Sequence, residues 1–343
     1  MRLAIIARRP SFVAHFSKML RELYPDVDFS DVAVFHPIFG WYVGNRRFQF
    51  PHGLKWSDFP YVGEPVYRPI MIADTRPVKG IDGLSARRNI DGNEGREALH
   101  SADQILLLMD PHSSSAHLAK RFLADHFETI PWERTLYPWI RDLTEDGMRG
   151  AMTAARRADE FALPFITSSE IRRFFDYNFL VNSFALLGTT VMQEAGLRGP
   201  VPSKYGLQFL YDALDTGPLS DGHRIQRMAQ WAGTGKYEGK RYDYDGLGTS
   251  TSRDAILGDL VRGGFLSREG KNTVVTEGGR CYLELLHPNC RDSDLPFRIS
   301  EWAEELPEEE GRAKMTRYLR TFFGKQKVFI ENRRKSTYLS DFS

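Results

Sequence analysis

Two short stretches of this chain contain almost nothing but apolar residues, Leu3–Ala7 and Gln104–Met109, and each is followed by residues at helical spacing. Such a run is too short for a buried helix and has no polar alternate positions. It therefore reads as a strand covered on both faces, as in a parallel sheet. After the first run Phe12, Phe16, Met19, Leu20 and Leu23 recur with a helical period; after the second come the polar loop Asp110–Ser115 and then Leu118, Phe122 and Leu123. Two strand-loop-helix units predict an α/β layer built on a parallel sheet.

The rest of the chain carries different signals. Residues 36–100 are rich in Gly, Pro and aromatic residues, with Pro37, Pro51, Pro60, Pro65, Pro69 and Pro77 interrupting any long helix, so loops and short strands are expected, with a helix start within Ala86–Glu97. From Leu143 to Gly196 the pattern is helical, with Thr144 placed to cap before Glu145 and Asp146. Residues 231–248 are glycine-rich and read as a linker or exposed loop. Beyond them a helix over Ser252–Val261, strands at Phe265–Arg268 and Thr273–Thr276, and a helix over Glu277–Leu286 read as a mostly helical part with a winged-helix element. Acidic residues 301–310 and the basic block containing Arg317, Arg320, Lys325, Lys327, Arg333, Arg334 and Lys335 read as solvated helix faces or a frayed tail. The expected organisation is an α/β domain over 1–140, a helical domain over 141–230, a linker over 231–247, a winged-helix-like element over 248–300 and a charged helix or tail over 301–343.

With 343 residues, 41% of them hydrophobic and 27% charged, the chain has enough apolar material for two packed domains. Its formal charge of +1 excludes binding of nucleic acid by bulk charge, so any such contact must be local. Cys281 and Cys290 lack metal-ligand spacing and are expected as reduced, buried thiols. No segment suggests a secretion signal or a membrane span, which places the protein in the cytosol.

Several local patterns then fall in one order. IIARRPS (5–11) resembles the opening strand of the type IA DNA topoisomerases, Ala-Glu-Lys-Pro-Ser in that family, and ADQILLLMDPHSSS (102–115) resembles their Toprim strand and its loop Asp-Pro-Asp-Arg-Glu-Gly. Residues 141–196, with Leu143-Thr144, Arg172-Arg173, Asp176 and Asn182, look like the helical domain that follows. LSDGHRIQ (219–226) is similar to Leu-Ser-x-Gly-Arg-Val-Gln with one residue inserted, GLGTSTSRDAI (246–256) to Gly-Ile-Gly-Thr-Pro-x-Thr-Arg, and residues 262–280 to the winged element behind it. The resemblance implies a Toprim-like α/β domain and a base that cradles single-stranded DNA.

The departures decide what such a chain can do. The family's metal site needs several carboxylates, because Mg²⁺ takes hard oxygen ligands. Here the remnant positions are Arg8, Asp110, His112 and Ser114, so one acid survives and no metal or other cofactor is expected. The arch bearing the nucleophilic tyrosine lies, in the family, between the Leu-Ser-x-Gly-Arg and Gly-Thr-Pro motifs; here only residues 227–245 do, and Tyr237, Tyr242 and Tyr244 are not set in a Tyr-x-Arg-Thr context. No catalytic residue is expected. The candidates for nucleic-acid contact are Arg8 and Arg9, Arg172, Arg173 and Arg224, Gln226, Thr249, Ser250, Ser252, Arg253 and Lys271; the bland reading makes the arginines partners of Asp176, Asp221 and Asp254, and of Asp110 for Arg8. His112 and His117 are expected on the loop and the helix surface, and Ser113–Ser115 have no evident base to activate a nucleophile. Trp41, Tyr42, Trp56, Tyr61 and Tyr67 either stack on bases or anchor small cores beneath loops. Three functions stay open: an inactive topoisomerase-like protein that binds single-stranded or junction DNA, a protein–protein assembly subunit, and a divergent topoisomerase or nuclease.

Overall fold

The computed structural model describes residues 1–8, 13, 16–29, 32–37, 47–68, 78–81, 84–87, 92–110, 112–240 and 246–340. Arg9, Ser11, Phe12, Trp41, Tyr42, Pro69, Pro77, Tyr242 and Tyr244 lie outside the described residues. The chain divides into two compact units, residues 1–49 with 67–170, and residues 50–66 with 171–343.

The first unit is an α/β structure. Its strands are β1 (Leu3–Ala7), β2 (Ala33–Phe35), β3 (Val78–Ile81), β4 (Leu84–Arg87), β5 (Gln104–Leu108), β6 (Thr135–Tyr137) and β7 (Arg156–Arg157). Among the described residues they form one sheet in the order β3-β4-β2-β1-β5-β6-β7. The inner five run parallel, and β3 and β7 are antiparallel at the edges. Helices α1 (Ser17–Leu23), α2 (Gly92–His100), α3 (Ser113–His126) and α4 (Glu145–Thr153) complete it, with the start of α5 (Ala158–Asn182).

Alternation along β1 and β5 shows why both runs are almost wholly apolar, Gln104 at the start of β5 being only partly buried. Ala4, Ile6, Ile105 and Leu107 pack with Leu118, Phe122, Leu123 and Ile166 on one face. Leu3, Ile5, Leu106 and Leu108 pack with Met19, Leu20, Met148 and Met152 on the other. Each strand thus feeds two hydrophobic layers at once, which a two-residue side-chain period demands of a covered sheet. Thr144 does cap α4, its side chain accepting from the Gly147 N–H.

The second unit is largely helical. From residue 171 of α5 the chain runs through a wide π-helical stretch (Ser183–Met192) to α6 (Lys204–Thr216), α7 (Asp221–Ala229) and α8 (Ser250–Arg262). A hairpin of β8 (Leu266–Glu269) and β9 (Asn272–Val275) follows, then α9 (Glu277–Glu284), α10 (Leu295–Ser300) and α11 (Glu308–Ser340). No described helix is long and apolar enough to cross a membrane.

Three details depart from what the sequence leads one to expect. The charged tail is a core element, because Met315, Leu319, Phe322, Phe323 and Ile330 of α11 are buried in the central cluster of this unit. The glycine-rich linker is anchored too: Tyr237 is buried, and its hydroxyl donates to Glu301 at 2.5 Å. Cys290 is buried, which pushes its thiol up to about 12, whereas Cys281 is only half-buried.

Candidate nucleic-acid interface

In the first unit the candidate residues gather at the carboxyl ends of the two central strands. The chain builds outward from β1 to β2 on one side and returns to place β5 on the other, so the strand order reverses between β1 and β5. The crevice outside such a reversal is where open α/β sheets bind ligands. The Arg8 N–H donates to the Leu108 carbonyl at 2.9 Å, which extends the ladder one residue past the strand and fixes where the Arg8 side chain leaves the sheet. Asp110 stands just past β5. Its carboxylate lies 4.0 Å from Arg8 Nε, with the two side chains 31% and 32% exposed, so the pair is a loose contact that water screens.

His112 and Ser114 sit beside them at the start of α3. The His112 ring accepts from the Ser114 N–H at 3.1 Å and lies 2.8 Å from the Ser114 hydroxyl, which satisfies one of the otherwise open donors of this helix end. His117 is not on the surface as expected. It is 1% exposed, with Nδ1 3.2 Å from the Ser169 hydroxyl and Nε2 4.0 Å from Glu170. Ser113 and Ser115 are buried as well. The residues present fit a divalent cation poorly, since one carboxylate faces a guanidinium here, and no group of three His, Cys, Asp or Glu side chains is assembled among the described residues.

In the second unit α5 brings Arg172, Arg173 and Asp176 to the start of α6. Arg173 pairs with Asp176 at 2.6 Å, and Lys204, which the sequence reading did not single out, closes on the same carboxylate. Arg172 is buried, donating to Ser300 at 3.0 Å and pairing with Glu304. Arg172, Arg173 and Lys204 thus meet Asp176 and Glu304 in a largely buried site. Burial by itself pushes Asp176 up, but Arg173 and Lys204 outweigh it and hold the carboxyl below its ordinary range. Burial pulls Lys204 below the usual lysine value; Asp176 offsets part of that, and Arg173 adds to it. The Lys204 ammonium sits 4.5 Å from the Tyr205 ring centre, and burial pushes the Tyr205 hydroxyl up to about 12.

The remaining candidates divide between interior and surface. Arg224 is 0% exposed and gives its guanidinium to Thr216 Oγ1 at 2.9 Å, the Gly217 carbonyl at 2.5 Å and the Thr273 carbonyl at 3.0 Å. It ties the end of α6 to the hairpin. Gln226 on α7 and Lys271 at the hairpin turn are exposed. Thr249, Ser250, Ser252 and Arg253 form the first turn of α8, where the Thr249 hydroxyl donates to Ser252 at 3.1 Å, Ser250 is exposed and Arg253 is buried. The glycines before this turn are required: at Gly246 (φ +81°) a Cβ would lie 2.3 Å from the Met228 carbonyl oxygen. Trp56 donates to Glu331 at 2.8 Å and Tyr61 packs against Tyr177, so both serve the interior of this unit.

Of the three linker tyrosines only Tyr237 lies among the described residues, and it is buried against Glu301. Burial and the neighbouring Glu301 push the Tyr237 hydroxyl well above its ordinary value, so it stays protonated and engaged. No protein-family model matches this chain, and no curated protein does.

Proposed function

We propose that this chain is a catalytically inactive protein related to the type IA topoisomerases, which holds single-stranded or junction DNA by its phosphates without a metal ion. The observation that carries the reading is Arg8 at the strand-order reversal. A guanidinium stands there beside a single carboxylate and a helix N-terminus, where the resembling family presents acids to Mg²⁺. In this reading the first unit is the Toprim-like domain and the second is the DNA-cradling base. The sequence α8, β8–β9, α9, with Leu219 bridged to Thr273 beside the hairpin, is its winged-helix element. Arg173 and Lys204, the exposed Gln226 and Ser250, and Lys271 are then the groups offered to phosphate oxygens.

The test is fluorescence anisotropy with a labelled single strand and a forked duplex, in chelator. Binding is expected at low salt, unchanged by added Mg²⁺, weakening as salt rises because phosphate contacts release counterions, and reduced in Arg8→Glu. No binding to either DNA at low salt would sink the proposal, and an Arg8→Glu variant with full affinity would remove its central residue.

A second reading, a protein–protein assembly subunit, is favoured by one specific observation. Arg172, Arg173 and Arg224 all have partners inside the chain, and the net charge is only +1. The same titration separates the two, since a groove filled by protein leaves DNA unbound.

A further inference from the structure

The second unit contains a cleft of about 330 Å³ that none of the candidate residues lines, walled by α6, α7, the turn after α7 and residues 291–293. Its size lies at the small end of the range of about 300–1,000 Å³ typical of small-molecule clefts. That volume suits one ring system.

The lining has a specific character. Tyr211 and Trp231 supply aromatic wall, and Trp231 is held in place because its Nε1 donates to the Ser293 carbonyl at 2.8 Å. Two ion pairs complete the rim. Arg227 grips Asp212 through Nε at 3.0 Å and Nη2 at 2.6 Å, and Arg291 pairs with Asp215 while lying 5.7 Å from the Tyr211 ring centre. Each guanidinium meets one carboxylate, so the cleft has no net charge to draw in a phosphate. Planar surface remains, together with uncommitted polar groups at its edge: Arg227 Nη1, Arg291 Nε and the Gln230 amide.

We infer that this cleft binds a nucleobase, an uncharged, flat and heteroatom-rich ring, stacked on Trp231 and read at its edge by Arg227, Gln230 and Arg291. A charged ligand gains nothing from the paired rim, and a purely aliphatic one leaves the edge donors without partners. Base-on-indole stacking tolerates any base, while the donors favour rings with exposed acceptors. The base arrives either as a free nucleoside or as an unpaired base of a strand, and the shared chemistry is the ring itself. This cleft is separate from the phosphate contacts proposed above.

The probes are 2-aminopurine deoxyriboside and a single-stranded oligonucleotide carrying one 2-aminopurine, titrated with the full chain. Saturable quenching of the free nucleoside is expected, with roughly five- to one-hundred-fold weaker binding in Trp231→Leu. Arg291→Gln, at an exposed side chain, is expected to weaken binding at least about threefold with an unchanged melting temperature. The nucleoside monophosphate is expected to bind within about threefold of the nucleoside, since the rim is neutral. Competition of the oligonucleotide signal by excess nucleoside identifies the strand's own base as an occupant; nucleoside binding without such competition identifies the free nucleoside. Absence of saturable nucleoside binding, equal affinity in Trp231→Leu and Arg291→Gln, or a monophosphate at least tenfold tighter overturns the inference. If strand affinity persists through any of these, the DNA-binding reading survives alone; nucleoside binding with no strand affinity leaves the cleft and removes that reading.

Discussion

Replacing Arg224 by alanine separates a structural arginine from a DNA-contacting one. The guanidinium is wholly buried and donates to Thr216 Oγ1, the Gly217 carbonyl and the Thr273 carbonyl. Hydrogen bonds from a charged donor contribute about 1.5–3 kcal/mol each, and two of the acceptors lost here are backbone carbonyls left without this donor. The three act as one unit, so they do not sum; a loss of roughly 4–5 kcal/mol is the reasonable scale. At about 2–4 °C per kcal/mol for a unit of this size, the melting temperature falls by roughly 8–20 °C. Circular dichroism measures the melt, and anisotropy at a temperature where the variant is still folded measures strand affinity. Stability falls and affinity holds if Arg224 is internal. A melting temperature within about 2 °C of wild type, or loss of affinity in the folded variant, refutes the reasoning.

Asp176→Asn leaves Arg173 and Lys204 without their carboxylate and is expected to cost about 3–5 kcal/mol at neutral pH, read by chemical denaturation. The folded-state pKa of Asp176 lies below its ordinary 3.8, so its contribution is present above that value and lost as pH falls through the folded pKa; the wild-type advantage over Asp176→Asn should close in strongly acidic buffer and nowhere else below pH 7. Gly246→Ala, which forces a Cβ against the Met228 carbonyl at a φ of +81°, is expected to destabilise by about 2 kcal/mol or more, and a neutral result in a thermal melt would contradict the close approach. Phe323→Ala on α11 is expected to cost about 3–5 kcal/mol, whereas a detachable tail would show no change in denaturant midpoint.

The central strands were legible because burial on both faces leaves no freedom: every residue from Leu3 to Ala7 must be apolar once both sheet faces are covered. The same logic fails at β6 and β7, which are three and two residues long and carry no period to read. The burial of His117 has no local sign, because its partner Ser169 is remote in sequence and a histidine two residues past a serine run looks like a surface residue. The stripe Met315, Leu319, Phe322, Phe323 was present at helical spacing in the tail, but the acidic and basic blocks around it dominated the pattern. Lys204 and Glu304 had no local signal at all, since only tertiary packing brings them to Asp176 and Arg172.

The two kinds of buried arginine in the second unit call for different explanations. Arg224 gives its donors to the Thr216 hydroxyl and the Gly217 and Thr273 carbonyls, tying the end of α6 to the hairpin, so it is accounted for by folding alone. The cluster of Arg172, Arg173 and Lys204 against Asp176 and Glu304 is not of that type. Ion pairs taken out of water contribute little net stability, and well-packed apolar residues in their place are often as stable or more so. Burial drags Lys204 below its ordinary value even with Asp176 beside it, so holding the ammonium there costs the fold free energy. Arg173 and Lys204, only partly buried on Asp176, can still turn toward a phosphate, whereas Arg224 is wholly enclosed and committed to the end of α6 and the hairpin.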